Sequence, residues 1–261
     1  MDEFDYPLPA EAIAQHPVEP RSSARLLVGL DPFSPAHRTV ADLPSLVGQG
    51  DLLVVNDTKV LPARLRLHKP TGGAVEVLLL EDRGAGVWEA LIRPSKKVPA
   101  GLHLFNRDVP VVEAGEHLDG GRRLVQLLAD PADHGRVALP PYINAELDDD
   151  ERYQTVYANR PGSVAAPTAG LHLTDAVLDA CRDRGAKTAT VDLAVGLDTF
   201  RPVTADHFDD HVMHSERYEV SEATLEACKG ATRVIAVGTT TVRALESAAR
   251  SDQHGGRTDL F

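Results

Sequence analysis

Residues 51–80, which read DLLVVNDTKVLPARLRLHKPTGGAVEVLLL, decide the fold because the type of strand changes within them. Residues 52–55 are all apolar, as in a strand that is buried on both faces of an α/β sheet. Two short apolar runs follow, residues 63–67 and 75–80, with a glycine pair at 72–73 between them. Closely spaced short strands with glycine turns are typical of a small β-barrel or sandwich. The stretch therefore predicts a passage from an α/β part into an all-β part.

The all-β pattern continues to about residue 140, where the sequence changes character. Further short strands are predicted at residues 87–92, 109–112 and 124–128. After two prolines at 140–141 and an acidic stretch at 146–151, strands and helices alternate along the rest of the chain. A domain boundary is predicted at these prolines.

Three helices are predicted in the last third of the chain from their end signals. The first covers residues 175–184, with Thr174 as its N-cap. The second lies between Ser221 and Gly230, and the third follows the apolar run 234–237.

The negative net charge argues against a function in which the whole protein surface binds nucleic acid or an anionic membrane. The chain of 261 residues has 27 basic and 39 acidic residues, a net charge of −12. A polyanion must therefore meet a local basic cluster. The strand-rich part offers two such clusters: Arg93 with Lys96 and Lys97, and Arg122 with Arg123. They are the predicted phosphate contacts if RNA is the partner, and the alternative is that they are solvated loops.

Cysteine content and hydropathy predict the compartment. Cys181 and Cys228 are the only cysteines, and they stand far apart, which argues against a disulfide framework and against cysteine-bound zinc. No run of about 18 apolar residues and no signal-peptide pattern occurs. The sequence predicts a cytoplasmic protein without a membrane span.

Polar residues at the end of the apolar strand form the first candidate site. Asn56, Asp57 and Thr58 follow that strand directly, and Arg64 lies in the next one. Open α/β sheets bind ligands beyond the carboxyl ends of their strands, so Asp57 and Arg64 are predicted to face a ligand there. The alternative is an Asx turn that only caps the strand.

A run of small residues precedes the first predicted helix. Residues 161–172 are mostly small residues and prolines, include Thr168 and Gly170, and end at His172. Such a run lets backbone amides approach a ligand closely, and the nearby helix start is expected to lower the pKa of His172. The alternative is an ordinary tight loop.

The start of the third predicted helix offers hydroxyl groups and a cation. Gly238 is followed by Thr239, Thr240 and Thr241, and Arg243 stands one turn into the helix. Amides and hydroxyls in this arrangement suit an anion or a carboxylate, although threonines also serve as plain helix caps.

Residues 206–216 hold three histidines and four carboxylates in eleven positions. This density suits zinc or another divalent ion. However, His211 and His214 lack the strict spacing of known zinc motifs, and histidines also serve polar substrates. The prediction is that no metal is bound.

Taken together, these motifs resemble one family, the S-adenosylmethionine:tRNA ribosyltransferase-isomerases of queuosine biosynthesis. The resemblance is collinear over essentially the whole chain. Its segments are residues 4–6 (FDY), 8–9 (LP), 13–15 (IAQ), 21–27, 56–65, 76–80, 88–97, 139–143, 151–158, 162–174, 195–203, 211–218 and 236–246.

The resemblance implies a tRNA-modifying enzyme that is both a transferase and an isomerase. It would move the ribosyl moiety of S-adenosylmethionine onto 7-aminomethyl-7-deazaguanine in a tRNA with a GUN anticodon, giving epoxyqueuosine and releasing adenine and methionine. S-adenosylmethionine is then a substrate, and no separate cofactor is expected. The fold implied is a barrel-like α/β domain with an inserted small β-barrel domain. The insert would cover residues 66–140, between α/β parts at 1–65 and 141–261.

This chemistry requires proton transfer and carboxylates or aromatic faces near a cationic donor. On the resemblance, His172 or His214 would transfer protons, and Asp57 and Glu216 would lie near the donor. The other residues predicted to bind the substrates, of which the last three would hold the methionine carboxylate, are Asn56, Thr58, Arg64, Thr168, Gly170, Thr239, Thr240 and Arg243.

The sequence also departs from the family pattern. Leu173, Ala194 and Asp198 stand where the family has phenylalanine, histidine and glycine, and the family pattern continues past position 261. The closing segment of the α/β domain is therefore expected to be missing, so that a dimer is the alternative to the predicted monomer. Three other functions stay open: a paralogue that binds S-adenosylmethionine or a nucleoside but uses another acceptor or is inactive, a non-catalytic RNA-binding subunit, and a metal hydrolase.

Overall fold

The computed structural model describes residues 6–31, 33–196, 215–251 and 253–260. The chain divides into two compact units. The α/β unit comprises Met1–Lys59, Pro141–Arg160 and Ala166–Phe261, and the barrel unit comprises Val60–Pro140 and Pro161–Ala165. The insert predicted at residues 66–140 falls within the barrel unit.

Sixteen strands occur in the described part of the chain, and they are numbered in chain order. They are β1 (Arg25–Val28), β2 (Ala36–Thr39), β3 (Asp51–Asn56), β4 (Thr58–Val60), β5 (Arg64–His68), β6 (Ala74–Gly84), β7 (Val87–Arg93), β8 (His103–Asn106), β9 (Val109–His117), β10 (Arg122–Leu127), β11 (Gly135–Arg136), β12 (Arg160–Ser163), β13 (Lys187–Leu193), β14 (Glu216–Glu219), β15 (Arg233–Val237) and β16 (Gly255–Thr258).

The helices divide into three α-helices and several short 3-10 turns. The α-helices are α1 (Asp175–Asp183), α2 (Glu222–Gly230) and α3 (Thr239–Ser251). The 3-10 turns cover Ala10–Ala12, Arg21–Ser23, Val40–Ser45, Ser95–Lys97, Asp119–Gly121, Pro131–Asp133, Asp150–Tyr153 and Thr168–His172.

Six strands of the barrel unit close into a ring. They follow the order β5-β6-β7-β10-β9-β8, all neighbours are antiparallel, and β8 pairs back to β5 through His68 and Phe105. Alternate residues of β6, Val75, Val77 and Leu79, are buried, as expected for a strand with one face inside a barrel. The prediction of a small β-barrel is confirmed.

Arg123 on β10 corrects one sequence prediction. Its side chain is fully buried, and its guanidinium donates to the backbone carbonyl oxygens of Val98 and, at 2.6 Å, of Gly115. A side chain without exposed surface cannot contact a phosphate, so the prediction for Arg123 is wrong. Arg122 beside it donates to Glu89 at 2.7 Å.

The α/β unit is built on a five-stranded mixed sheet with the order β15-β3-β13-β14-β16. The central strand β3 pairs in parallel with β13 and β15, and β14 and β16 are added antiparallel. All six residues of β3 are buried, which explains the apolar run at its residues 52–55. The mixed α/β class predicted for the chain is confirmed.

The predicted helices form close to their expected bounds because their caps form. The Thr174 hydroxyl accepts from the Val177 amide at 3.2 Å, and the Ser221 hydroxyl accepts from the Thr224 amide at 3.1 Å. Val177, Leu178 and Cys181 on one face of α1 enter the core against β3. Both cysteines are free. No helix in the described ranges is long and apolar enough to cross a membrane.

Candidate functional site

The candidate site lies at the carboxyl ends of the parallel strands in the α/β unit. Because β13, β3 and β15 run in the same direction, their carboxyl ends meet at one edge of the sheet. The chain passes from β3 to β13 on one side, and β15 is added later on the other side. This change of side at β3 is the topological position at which open α/β sheets bind ligands.

Asn56 joins the ends of β3 and β13. Its Nδ2 donates to the Leu193 carbonyl oxygen at 3.0 Å and to the Thr240 hydroxyl at 3.4 Å. Its Oδ1 accepts from the amides of Leu193 at 3.1 Å and Thr58 at 3.2 Å. These bonds use the full capacity of the amide group, which is completely buried. Asn56 therefore fixes the shape of the strand end from within the protein.

The start of α3 and the turn Thr168–His172 lie beside each other at this edge. Gly238, which ends the β15 segment, has a φ of +90°, and a Cβ atom there would stand 3.4 Å from the Ala169 Cβ. Thr168 and Thr239 are exposed, so the hydroxyls predicted to bind substrate are accessible on both segments. Thr58 is buried, and its hydroxyl donates to the Arg160 carbonyl oxygen at 3.5 Å.

Packing explains one of the small residues in the predicted run. A Cβ atom on Gly170 would stand 1.9 Å from the Tyr157 hydroxyl oxygen, so only glycine fits. The hydroxyls of Tyr157 and Thr155 are buried without a hydrogen-bond partner among the described residues. Burial also raises the pKa of Tyr157, which keeps its hydroxyl protonated.

His172 is exposed at the end of the same turn. Partial burial of its ring lowers its pKa, and the charges of Arg152 and Arg21 act in the same direction. The imidazole is therefore neutral near pH 7 and able to accept a proton. The direction of the shift agrees with the prediction, but its causes are burial and two arginines rather than a helix start. Arg21 also holds the turn, because its guanidinium donates to the Leu171 carbonyl oxygen at 3.2 Å.

Asp57 is a buried carboxylate with weak compensation. Its side chain is 7% exposed, its Oδ2 lies 3.9 Å from Nε of Arg160, and its Oδ1 has no hydrogen-bond partner among the residues that the structure describes. Burial is the largest cause of the raised pKa of Asp57, and the nearby Asp192 also raises it, whereas Arg160, the Asp57 amide and the Asn159 side chain lower it. Arg160 is shared, since its Nη1 lies 3.1 Å from Glu219.

Asp192 is a site residue that the sequence analysis missed. It is 1% exposed and precedes the last residue of β13. Its Oδ2 accepts from Arg217 at 2.7 Å, whereas its Oδ1 has no hydrogen-bond partner in the described part of the chain. The available signal was an acidic residue between Val191 and Leu193 at the end of an apolar strand, a position where a charge is unfavourable unless it has a function or a partner.

Glu216 and Arg243 form a buried ion pair in the same unit. The Gly196 amide, just beyond β13, donates to Glu216 Oε1 at 2.9 Å, and Arg243 also donates to the Thr258 carbonyl oxygen at 3.0 Å. The two residues were predicted for different parts of the substrate, and the structure brings them together. His214 and Asp198 lie outside the described residues.

Several predicted residues belong to the barrel unit. Arg64 is half-exposed, and its Nε donates to Glu76 at 2.9 Å. Arg93, Lys96 and Lys97 are exposed at the end of β7 and in the following turn. Their contact with RNA stays a prediction.

No group of three or more histidine, cysteine, aspartate or glutamate side chains in the described ranges is placed to hold a metal ion. Most of the histidine-rich segment 206–216 lies outside those ranges. The prediction that no metal is bound therefore stays a prediction.

The fold and the site define a class: a mixed α/β protein with a closed six-stranded β-barrel insert and a polar site at its parallel strand ends. A family model described as queuosine biosynthesis protein matches residues 1–261. The chain belongs to this queuosine biosynthesis protein family.

Individual relatives agree with the family match. The chain is 48% identical over 264 residues to the S-adenosylmethionine:tRNA ribosyltransferase-isomerase of Rubrobacter xylanophilus, covering 100% of this chain and 79% of the relative. It is 48% identical to the protein of the same name from Thermus thermophilus, covering 96% and 77%. The crystal structure of S-adenosylmethionine tRNA ribosyltransferase from Thermotoga maritima matches with 32% identity and a TM-score of 0.47, covering 99% and 78%.

Proposed function

We propose that this chain is an S-adenosylmethionine:tRNA ribosyltransferase-isomerase of queuosine biosynthesis. It moves and isomerises the ribosyl moiety of S-adenosylmethionine onto 7-aminomethyl-7-deazaguanine in tRNA, forms epoxyqueuosine, and releases adenine and methionine. The observation that carries the proposal is the family match over residues 1–261, together with relatives of that name at 48% identity. Similarity of this extent does not favour a paralogue that uses another acceptor.

The strand-end site supports chemistry on cationic substrates. S-adenosylmethionine carries a sulfonium, and Asp57, Asp192 and Glu216 supply buried carboxylates in the α/β unit. Glu216 is already neutralised by Arg243, whereas Asp57 and Asp192 each keep an oxygen that no described residue hydrogen-bonds. Charges held in a low-dielectric environment act on a substrate more strongly than charges in water.

Removal of the proton from the carbon beside the sulfonium is assigned to histidine. The neutral ring of His172 suits a general base, and His214 is the second candidate. We assign the methionine carboxylate to the start of α3, which offers Thr239 and Thr240, with Arg243 as the neighbouring cation. The first amides of a helix have no acceptor within the helix and suit an anion.

The remaining assignments concern partners. We propose that Arg93, Lys96 and Lys97 contact the phosphates of a tRNA with a GUN anticodon, since these exposed cations form a local basic cluster on an acidic chain. The protein is proposed to act as a cytoplasmic monomer and to need no metal and no cofactor, with S-adenosylmethionine consumed as a substrate.

The proposal is tested by incubating the chain with S-adenosylmethionine and quantifying adenine and methionine. Both products are expected only when the tRNA carries 7-aminomethyl-7-deazaguanine, and an otherwise identical tRNA with guanine is the control. Adenine release that ignores the identity of the base would contradict the proposed acceptor.

A further inference from the structure

Two carboxylates at the strand ends each have a buried oxygen that no described residue hydrogen-bonds. Among the described residues, Asp57 and Asp192 are the only carboxylates with such an oxygen. Burying a charged group without a full set of hydrogen bonds is unfavourable. Each missing hydrogen bond costs on the order of 1–3 kcal/mol. A protein that holds two such atoms at one place gains from a ligand that supplies the missing donors.

The two residues are neighbours across the sheet. The Asp57 amide donates to the Val191 carbonyl oxygen at 2.9 Å, so Asp57 extends β3 beside the segment of β13 that carries Asp192. The charge of Asp192 also acts on Asp57, since it raises the pKa of that carboxyl. The two carboxylates therefore share one electrostatic environment.

The local charge balance favours a cation. Asp57, Asp192 and Glu219 are accompanied by Arg160 and Arg217, so the described part of this cluster has one carboxylate more than it has guanidinium groups. Each arginine lies beside one of the buried carboxylates, but neither supplies a hydrogen bond to the two free oxygens.

The chemistry of the two carboxylate oxygens favours an ammonium group over a sulfonium or a divalent metal ion. A carboxylate oxygen accepts N–H or O–H hydrogens, which an ammonium group offers and a sulfonium does not. A divalent metal ion takes about six oxygen or nitrogen ligands, and the described residues contain no group of three side chains placed for one. A primary ammonium can donate to both oxygens at once.

We infer that Asp57 and Asp192 together bind a primary ammonium group of a substrate, an inference that rests on the proposed function. Two sources carry this group: the aminomethyl side chain of the acceptor base and the α-amino group of S-adenosylmethionine. The acceptor is favoured because its nitrogen must lose a proton before it attacks. In that step an N–H bond of the ammonium breaks, the proton passes to Asp57 Oδ1, and the electron pair stays on nitrogen as the lone pair of the neutral amine.

The test measures binding, so it does not depend on turnover. Two anticodon stem-loop RNAs are compared, identical except that one carries 7-aminomethyl-7-deazaguanine and the other 7-methyl-7-deazaguanine, which has no amino group. The parent chain is expected to bind the first RNA at least about tenfold more tightly, as for a charge-assisted hydrogen bond. A second arm compares S-adenosylmethionine with its des-amino analogue, which keeps the sulfonium and the carboxylate.

The variants are Asp57→Asn and Asp192→Asn, with Asp179→Asn as the matched control because Asp179 is an exposed carboxylate on α1. Loss of the preference in the RNA arm supports the ammonium site and names the acceptor as its ligand. Loss of the preference in the second arm supports the site with the donor as its ligand. Thermal unfolding of each variant shows whether it is folded. If Asp192→Asn does not fold, Asp57→Asn alone decides the test, because removal of the buried Asp57 charge is expected to stabilise the fold.

Two results overturn the inference. The first is that the parent chain binds the ligands with and without the amino group equally tightly in both arms. This result needs no variant. The second concerns the folded variants. It is that they still bind the amino ligand more tightly by the same factor as the parent chain, or that they bind the amino and des-amino ligands more weakly by equal factors. Adenine release by the parent chain tests the proposed function, whereas these binding measurements test the ammonium site. Failure of one can therefore be distinguished from failure of the other.

Discussion

Asn56 and Leu193 bond reciprocally across the parallel strands β3 and β13. Asn56 Nδ2 donates to the Leu193 carbonyl oxygen at 3.0 Å, and the Leu193 amide donates back to Asn56 Oδ1 at 3.1 Å. One side chain thereby replaces a further step of the ladder at the point where both strands end. The backbone on either side, with Asp57 next to one partner and Asp192 next to the other, is held in place by this ring.

The first prediction follows from that ring. Asn56→Asp keeps the shape of the side chain but replaces the donor by a charged oxygen that faces the Leu193 carbonyl. We expect a loss of about 3 kcal/mol in the free energy of unfolding, as for an uncompensated buried charge. Denaturant unfolding measures it, with the exposed Asn144→Asp as control. Equal stabilities of the two variants would show that the ring contributes little.

The second prediction concerns Asp57 and pH. Because its pKa is raised in the folded chain, mainly by burial, the folded state favours the protonated form, and ionisation opposes folding as the pH rises above the ordinary value of 3.8. Asp57→Asn removes this penalty. We expect the variant to be more stable than the parent at pH 7 by on the order of 1 kcal/mol, with the gain shrinking as the pH falls toward 3.8.

Thermal unfolding at pH 7 and near pH 4 measures this difference, and Asp179→Asn controls for the loss of an exposed carboxylate. A variant that is less stable than the parent at pH 7 would mean that Asp57 is well compensated in the folded protein.

The third prediction concerns the contact of Gly170 with Tyr157. Gly170→Ala brings a methyl group into the position of the Tyr157 hydroxyl and is expected to destabilise the fold by about 2 kcal/mol. Tyr157→Phe removes that hydroxyl, which no described residue hydrogen-bonds, so the double variant should recover part of the loss. Recovery stays partial because the Thr155 Cγ2 lies 3.0 Å from the added atom. Additive losses in a double-mutant cycle would contradict this contact.

The fourth prediction concerns RNA contacts on the barrel unit. Lys96→Ala and Lys97→Ala should each weaken tRNA binding and reduce the slope of log affinity against log salt by about 0.7–0.9, the value for one released counterion. Lys229→Ala on α2, whose partner is Glu226, is the control for loss of an exposed lysine. Unchanged slopes for Lys96 and Lys97 would remove them from the interface.

The fifth prediction concerns the histidines. If histidine transfers the proton, His172→Ala or His214→Ala should lower adenine release by about 100-fold or more. His37→Ala, an exposed position on β2, is the control. Near-normal turnover in both variants would remove histidine from the mechanism and direct attention to the carboxylates.

Much of the fold follows from sequence because local signals agree with the tertiary structure. Hydroxyl caps at Thr174 and Ser221 start α1 and α2, and the apolar run at 52–55 becomes the buried core of β3. The glycine pair at 72–73 separates β5 from β6, which pair antiparallel in the barrel.

The site was less predictable because burial and pairing are long-range properties. The sequence shows Asp192 as an acidic residue between two apolar ones, but only the fold reveals that β14 brings Arg217 to one of its oxygens. Arg123 reads as a surface cation until the barrel closes around it and two carbonyl groups accept its hydrogen bonds. Glu216 and Arg243, which stand 27 positions apart, were predicted as separate contacts and form one ion pair.

The central claim is that this chain builds epoxyqueuosine from S-adenosylmethionine on tRNA. The most direct measurement is mass spectrometry of nucleosides from tRNA that carried 7-aminomethyl-7-deazaguanine and was incubated with the chain and S-adenosylmethionine. We predict an epoxyqueuosine nucleoside in equal amounts with free adenine and methionine. The claim would be contradicted if the chain binds both this tRNA and S-adenosylmethionine but leaves the 7-aminomethyl-7-deazaguanine unchanged.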